Sequence, residues 1–282
     1  MKLHLLGTVL LSALLTSVSH AELKKLAVSD VKAGAGLVKS AEKAGTIVSL
    51  QRVVEAYDSQ LIDRLHGTRK FDILARSDLK QLAKDGDATG NTFKIPGADY
   101  LLVTTVDDFQ DYSESLSLQT TGQVLHKRVV RIVAVAKIYD AATGRLIESA
   151  NIKKEVKDAG AQFNSEKNGD LADAVIESAV EQSASAMANR IADVIYPAKV
   201  IAKVDKTVMI NRGDGTDIAV GQVWQVWALG AELKDSDTGE VLGRQKFAVG
   251  KVRVTQVDPK TSTAEIVEDT GISEGAMVHP MK

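Results

Sequence analysis

Three histidines, a run of carboxylates and an Arg-Gly-Asp triplet carry the chemical potential of this sequence. Past residue 21 the histidines are His66, His126 and His279, and none stands three or four residues from another. Zinc ligands on one local element need such spacing, and no H-E-x-x-H is present. Each histidine therefore reads as a surface or helix-end residue. Asp107, Asp108, Asp111 and Glu114 form an acidic patch after a strand. Hard cations take several oxygen ligands, but the spacing is not that of an EF-hand loop. The patch reads as a solvated acidic loop, with a weak Ca²⁺ site as the alternative. Arg212-Gly213-Asp214 matches an adhesion tripeptide, and with Gly215 it reads instead as a hairpin turn whose glycines supply positive φ. Cysteine is absent, which removes disulfides, thiolate metal sites and a cysteine nucleophile. No nucleophile elbow is expected, and no G-x-x-x-x-G-K-[ST] phosphate cradle occurs. The expectation is a chain without catalytic residue, cofactor or metal.

The elements that would position any site divide into two textures. Leu26–Val31 reads as a first strand, with Gly34 and Gly36 as a flexible exit. Leu50, Val53, Val54, Tyr57, Leu61, Ile62 and Leu65 make one apolar stripe, so a helix is expected over 46–65 with Gly67 closing it. Phe71–Leu74 follows as a strand, and Ser77–Lys84 as a short helix. Tyr100–Val106 reads as a buried strand. Val129–Ile138 alternates, with Val130, Ile132, Ala134, Ala136 and Ile138 on one wholly apolar face. A loop over 140–144 leads to a partner strand ending near Val156. An alanine-rich helix over 171–196, with Asp170 as its cap, stops at Pro197.

After Pro197 short strands alternate with turns, and no helical period remains. Trp224 and Trp227 stand three apart in one strand and so face opposite sides. Trp224 and Val226 read as core. Trp227, with Gln225 and Val223 on the same face, is the candidate protein-interaction surface, because tryptophan is a frequent anchor of partner contacts. Packing of Trp227 on the neighbouring domain is the alternative. The fold class expected is α+β: a layered α/β domain with a mixed sheet and two long helices over 22–197, then a small all-β barrel or sandwich domain over 198–282.

Residues 1–21 carry a secretory signal pattern: Lys2, an apolar run from Leu5 to Val18, and Ser19-His20-Ala21 at the cleavage point. Cleavage there would leave 34 basic against 37 acidic side chains. That near balance argues against nucleic acid as partner. The mature chain is expected to hold no transmembrane helix and, lacking cysteine, no lipid anchor. Lys24, Lys25, Lys32 and Lys39 put solvated positive charge near its start.

Residues 26–196 resemble the periplasmic domain of the CsgG family of curli assembly and transport proteins, a domain type shared with LpoB and FlgT. The resemblance rests on Leu61-Ile62-Asp63-Arg64-Leu65, the stretch Phe71–Leu79, Gly97–Val103, Ile138-Tyr139-Asp140 with Thr143-Gly144, and the helix ending at Tyr196-Pro197. Residues 199–282 look like the FlgT C-terminal domain through Ile210–Gly213, Gly221–Val226, Asp237–Gly243 and Val249–Val254. The resemblance implies a non-enzymatic envelope scaffold, homo-oligomeric and outer-membrane associated, with periplasmic or outer-membrane protein partners. A ring or secretion-channel component is the alternative. Against a pore, Ser115–Gln123 is mostly polar, and Arg131 and Lys137 lie on the second face of the following strand.

Overall fold

The computed structural model describes residues 23–74, 97–117, 124–158, 174–239 and 241–281. The signal expected over 1–21, the short helix over 77–84 and the Asp170 cap lie outside them. Among the described residues there are three helices and two sheets, an α+β layout.

Strands β1 (Lys24–Val28) and β2 (Lys32–Ala33) precede helix α1 (Ala35–Ala44). The glycines read as a flexible exit instead start this helix, whose true left-handed end is Gly45 at φ 71. Helix α2 (Ile47–Gly67) buries Leu50, Val53, Tyr57, Leu61 and Leu65 at intervals of three and four, as the apolar stripe requires. It runs through Gly67, and the left-handed residue is Arg69 at φ 54 rather than the glycine. Strand β3 (Phe71–Leu74) follows, then β4 (Tyr100–Ser117), β5 (Val124–Asp140) and β6 (Leu146–Asp158). Helix α3 (Ala174–Ile195) closes this unit.

The first sheet has the order β3-β1-β4-β5-β6, with β2 beside β4. Pairs made by β1 and β2 are parallel, and β4-β5-β6 is antiparallel, so the sheet is mixed. Parallel β1 and β3 need a crossover, and α2 supplies it. The expected face of β5 (Val130, Ile132, Ala134, Ala136, Ile138) is fully buried against α2 and α3. Alanines at 179, 184, 188 and 192 let α3 approach closely, and the Ser183 hydroxyl donates to the Tyr57 oxygen at 3.3 Å between the helices. Burial pushes the Tyr57 phenol up to about 12.

The chain then builds a second sheet from β7 (Val200–Val204), β8 (Thr207–Ile210), β9 (Val223–Lys234), β10 (Val241–Val257), β11 (Ser262–Asp269) and β12 (Met277–Pro280). Its order is β12-β9-β10-β11-β8-β7, antiparallel throughout. One face encloses Val200, Val208, Ile210, Trp224, Val226, Val252, Val254 and Val278. The two ends of this sheet meet at a single bridge, Lys199 to Met277, flanked by Val200 N–H to the Ala276 carbonyl at 2.9 Å. The α+β layout thus matches the expectation, and among the described residues the all-β unit is one sheet that curls until its edges touch, without a closed ladder.

Candidate functional site

Strand β9 presents the three residues singled out by the sequence. Trp224 and Val226 are buried, and Val223, Gln225 and Trp227 lie on the opposite, partly exposed face. The Trp224 indole donates to Gln222 Oε1 at 3.0 Å. Gln225 donates its amide to the Gly250 carbonyl at 2.7 Å, so its polar end is engaged within its own sheet. Trp227 sits between Met277 of β12 and Ala248 of β10. The face continues along β9 to Leu229, where a register shift against β10 between Arg244 and Lys246 interrupts the alternation. Beyond Trp227, β9 pairs only with β10 among the described residues, so the two strands project as a ribbon. Leu233, Val241 and Phe247 are 49%, 53% and 48% exposed on it. The sequence reading of short strands alternating with turns does not contain this ribbon, whose strands run to Lys234 and from Val241. Alternation flanking Asp237-Thr238-Gly239 was the available signal.

A second concavity lies on the other unit. Helices α1 and α3 wall a groove of about 960 Å³ floored by α2, and β4-β5 closes one end. Leu37, Leu50, Val53, Phe109, Ile176 and Val180 supply its apolar lining. At the closed end Arg128 grips Asp111 with two hydrogen bonds of 2.9 and 2.7 Å. The groove is not legible in the sequence, because Gly34 and Gly36 argue locally for a flexible exit where α1, one of its walls, begins.

The acidic patch is not a solvated loop. It lies within β4, at and beyond a bulge between Val106 and Asp108, where the strand continues past the expected end at Val106. Asp108 faces Arg131 at 3.3 Å, Asp111 is bound to Arg128, and Glu114 lies 3.8 Å from Lys157. Cross-strand cations thus answer three of the four carboxylates. His66 ends α2, and His279 on β12 is held below its usual range by desolvation and the Lys246 charge. The side chain of His126 lies outside the described ones. Among the described residues no three His, Cys, Asp or Glu side chains gather as metal ligands. Against the expectation above, Gly271-Ile272-Ser273-Glu274-Gly275 does have the G-x-S-x-G spacing. It joins two strands, β11 and β12, whereas a nucleophile elbow needs a strand-to-helix turn.

The Arg-Gly-Asp stretch departs furthest from its reading. It joins β8 to β9, which are not neighbours in the sheet, so it is no hairpin. Of its glycines only Gly215 has positive φ, at 83°. Arg212 is 2% exposed and donates to Asp193 at 2.6 Å and to the Tyr196 carbonyl. Lys70, after α2, donates to the Asn211 carbonyl at 2.6 Å. Burial, helped by the Arg212 and Lys260 charges, pushes Lys70 down to about 8 from 10.5. The folded protein then binds fewer protons than the unfolded chain between those values, so this lysine raises stability as pH climbs from 8 toward 10. Chemical denaturation at pH 7.5 and pH 10 is expected to show a larger stability gain for the wild type than for Lys70→Met. Equal gains would remove Lys70 as the source.

An α+β protein with two sheets, a projecting ribbon and an apolar groove is the class that fold and surfaces define. No family model matches the chain, and no curated protein matches it in sequence. Solved structures align with part of the chain. A hypothetical protein from Chlamydia trachomatis is 9% identical, over 62% of this chain and 99% of its own, at a TM-score of 0.39. A minor lipoprotein from Acinetobacter baumannii is 10% identical, over 60% and 91%, at 0.34. The PelC dodecamer from Paraburkholderia phytofirmans is 14% identical, over 57% and 83%, at 0.27. Likeness at this level fixes neither family nor function. No described helix is long and apolar enough to cross a membrane.

Proposed function

We propose that this chain is a non-enzymatic, exported scaffold or assembly factor of the bacterial cell envelope, binding protein partners in the periplasm. The observation that carries the reading is the outer face of β9, where partly exposed Trp227 leads into Leu229 at the base of a ribbon with open edges that exposes Leu233, Val241 and Phe247. A tryptophan beside exposed apolar residues is the composition that partner interfaces concentrate at their centre. The secretory pattern of residues 1–21 supports the compartment, and the resemblance to CsgG and FlgT domains supports an assembly role.

In-cell cross-linking with identification of the bound proteins, done on the wild type and on Trp227→Ala, tests this. Truncating a central aromatic anchor costs about 2 kcal/mol or more of binding, roughly a 30-fold loss. The expected result is a specific partner whose recovery falls at least tenfold in the variant while its unfolding midpoint stays near wild type. An unchanged complex would retire Trp227. Native mass measurement of the purified protein is expected to give a monomer or dimer. A large cyclic assembly would move the reading to a ring component, since head-to-tail interfaces close into rings.

A further inference from the structure

The loop between β8 and β9 is held from both sides. On one side the Arg212 guanidinium reaches into the helical unit, to Asp193 and the Tyr196 carbonyl at the end of α3. On the other, the Arg212 carbonyl accepts from the Ser262 hydroxyl of β11 at 2.8 Å, with Ser262 fully buried. The same residue therefore grips each unit with a different group. Four further contacts surround it. Asn189 of α3 donates to Asp217 at 2.5 Å. Lys70 donates to the Asn211 carbonyl, and Arg69 to the Pro259 carbonyl at 2.9 Å. Gly215 meets the end of α2 so closely that a Cβ there would stand 2.2 Å from the Gly67 carbonyl oxygen. The only covalent link is Tyr196-Pro197-Ala198, where proline locks one φ and Asn211 accepts the Lys199 N–H at 2.7 Å.

We propose that Asn211–Asp217 is a latch that holds the helical unit and the curled sheet as one rigid body, with Arg212 as its pin. Each unit keeps its own apolar core, one within residues 26–192 and the other within 198–278. Without the latch they would join through a short strand of chain and a polar seam, the arrangement in which relative domain motion is the default. With it, the groove on the helical side and the ribbon on the sheet side stay at one separation. A protein that aligns two partners needs that.

The absence of cysteine makes the test direct. Glu55→Cys on α2 and Glu265→Cys on β11 replace exposed residues and accept spin labels on the full chain. Pulsed electron-electron resonance is expected to give one narrow distance distribution. Adding Gly215→Ala, which drives a methyl group into the α2 carbonyl, or Arg212→Met, which removes the pin, is expected to widen it at least twofold. Near-UV circular dichroism should retain the native tryptophan signal, because both cores are untouched. Where Arg212→Met lowers the folded yield, Arg212→Lys keeps the charge without the fork and is read the same way. A broad wild-type distribution, or a narrow one in the latch variants, overturns the proposal.

Discussion

Gly250→Val is expected to destabilise the curled sheet severely. Gly250 has φ +155°, a region that side chains rarely adopt, and β10 needs it there to bend between β9 and β11. The register shifts beside it on both neighbours, at Ala248/Gly250 and at Lys251/Val252. A Cβ at 250 would stand 2.2 Å from the Glu268 carbonyl oxygen and 2.6 Å from Ile272 Cδ1. Neither can retreat, since Glu268 belongs to the paired strand and Ile272 to the core. Backbone strain of about 1–3 kcal/mol adds to overpacking of about 1–3 kcal/mol. Together they cost about 2–6 kcal/mol, a large share of the roughly 5–15 kcal/mol that holds a domain folded. Urea unfolding followed by tryptophan fluorescence should show the loss, and a midpoint near wild type would refute it. Gly36→Ala is the contrasting case. Nothing lies within 4 Å of its Cβ position and the residue is helical, so a gain of about 0.5–1 kcal/mol is expected.

The second large effect is expected from Leu61→Ala. Leu61 is 0% exposed in the middle of the α2 stripe and belongs to the core shared with α3 and the first sheet. Truncation removes the isopropyl group beyond Cβ and leaves a cavity that close packing cannot refill. Such changes cost about 2–5 kcal/mol. Val48→Ala lies on the same helix at 58% exposure and should change stability by less than about 0.5 kcal/mol. Equal midpoints for the two variants would contradict the burial assigned to Leu61.

Burial faces were readable because period alone decides them. Val130, Ile132, Ala134, Ala136 and Ile138 needed only strand alternation, and Tyr57, Leu61 and Leu65 only a helical one. The start of α1 was not readable. Gly34 and Gly36 argue locally for a break, yet Leu37, Val38 and Ala41 form a helix that packs on α2, so tertiary contact overrides propensity. Strand ends failed in the other direction. β4 runs past its expected limit at Val106, because cross-strand hydrogen bonds extend the hairpin with β5 through a polar stretch. The candidate surface was half legible. Trp227 on the exposed face of β9 followed from its three-residue offset from Trp224, whereas the ribbon beyond it required knowing where β12 stops.

The sequence by itself determined the α+β content, the two textures meeting at Pro197 and the inward face of each long element, since these depend on neighbours a few residues away. Only the tertiary structure decided that Asp108 and Asp111 are paired and that Arg212 is buried rather than displayed in a turn. Their partners stand at Arg131, Arg128, Asp193 and Ser262, and a charge is buried or solvated according to what the folded chain brings within hydrogen-bond reach, which no local pattern records.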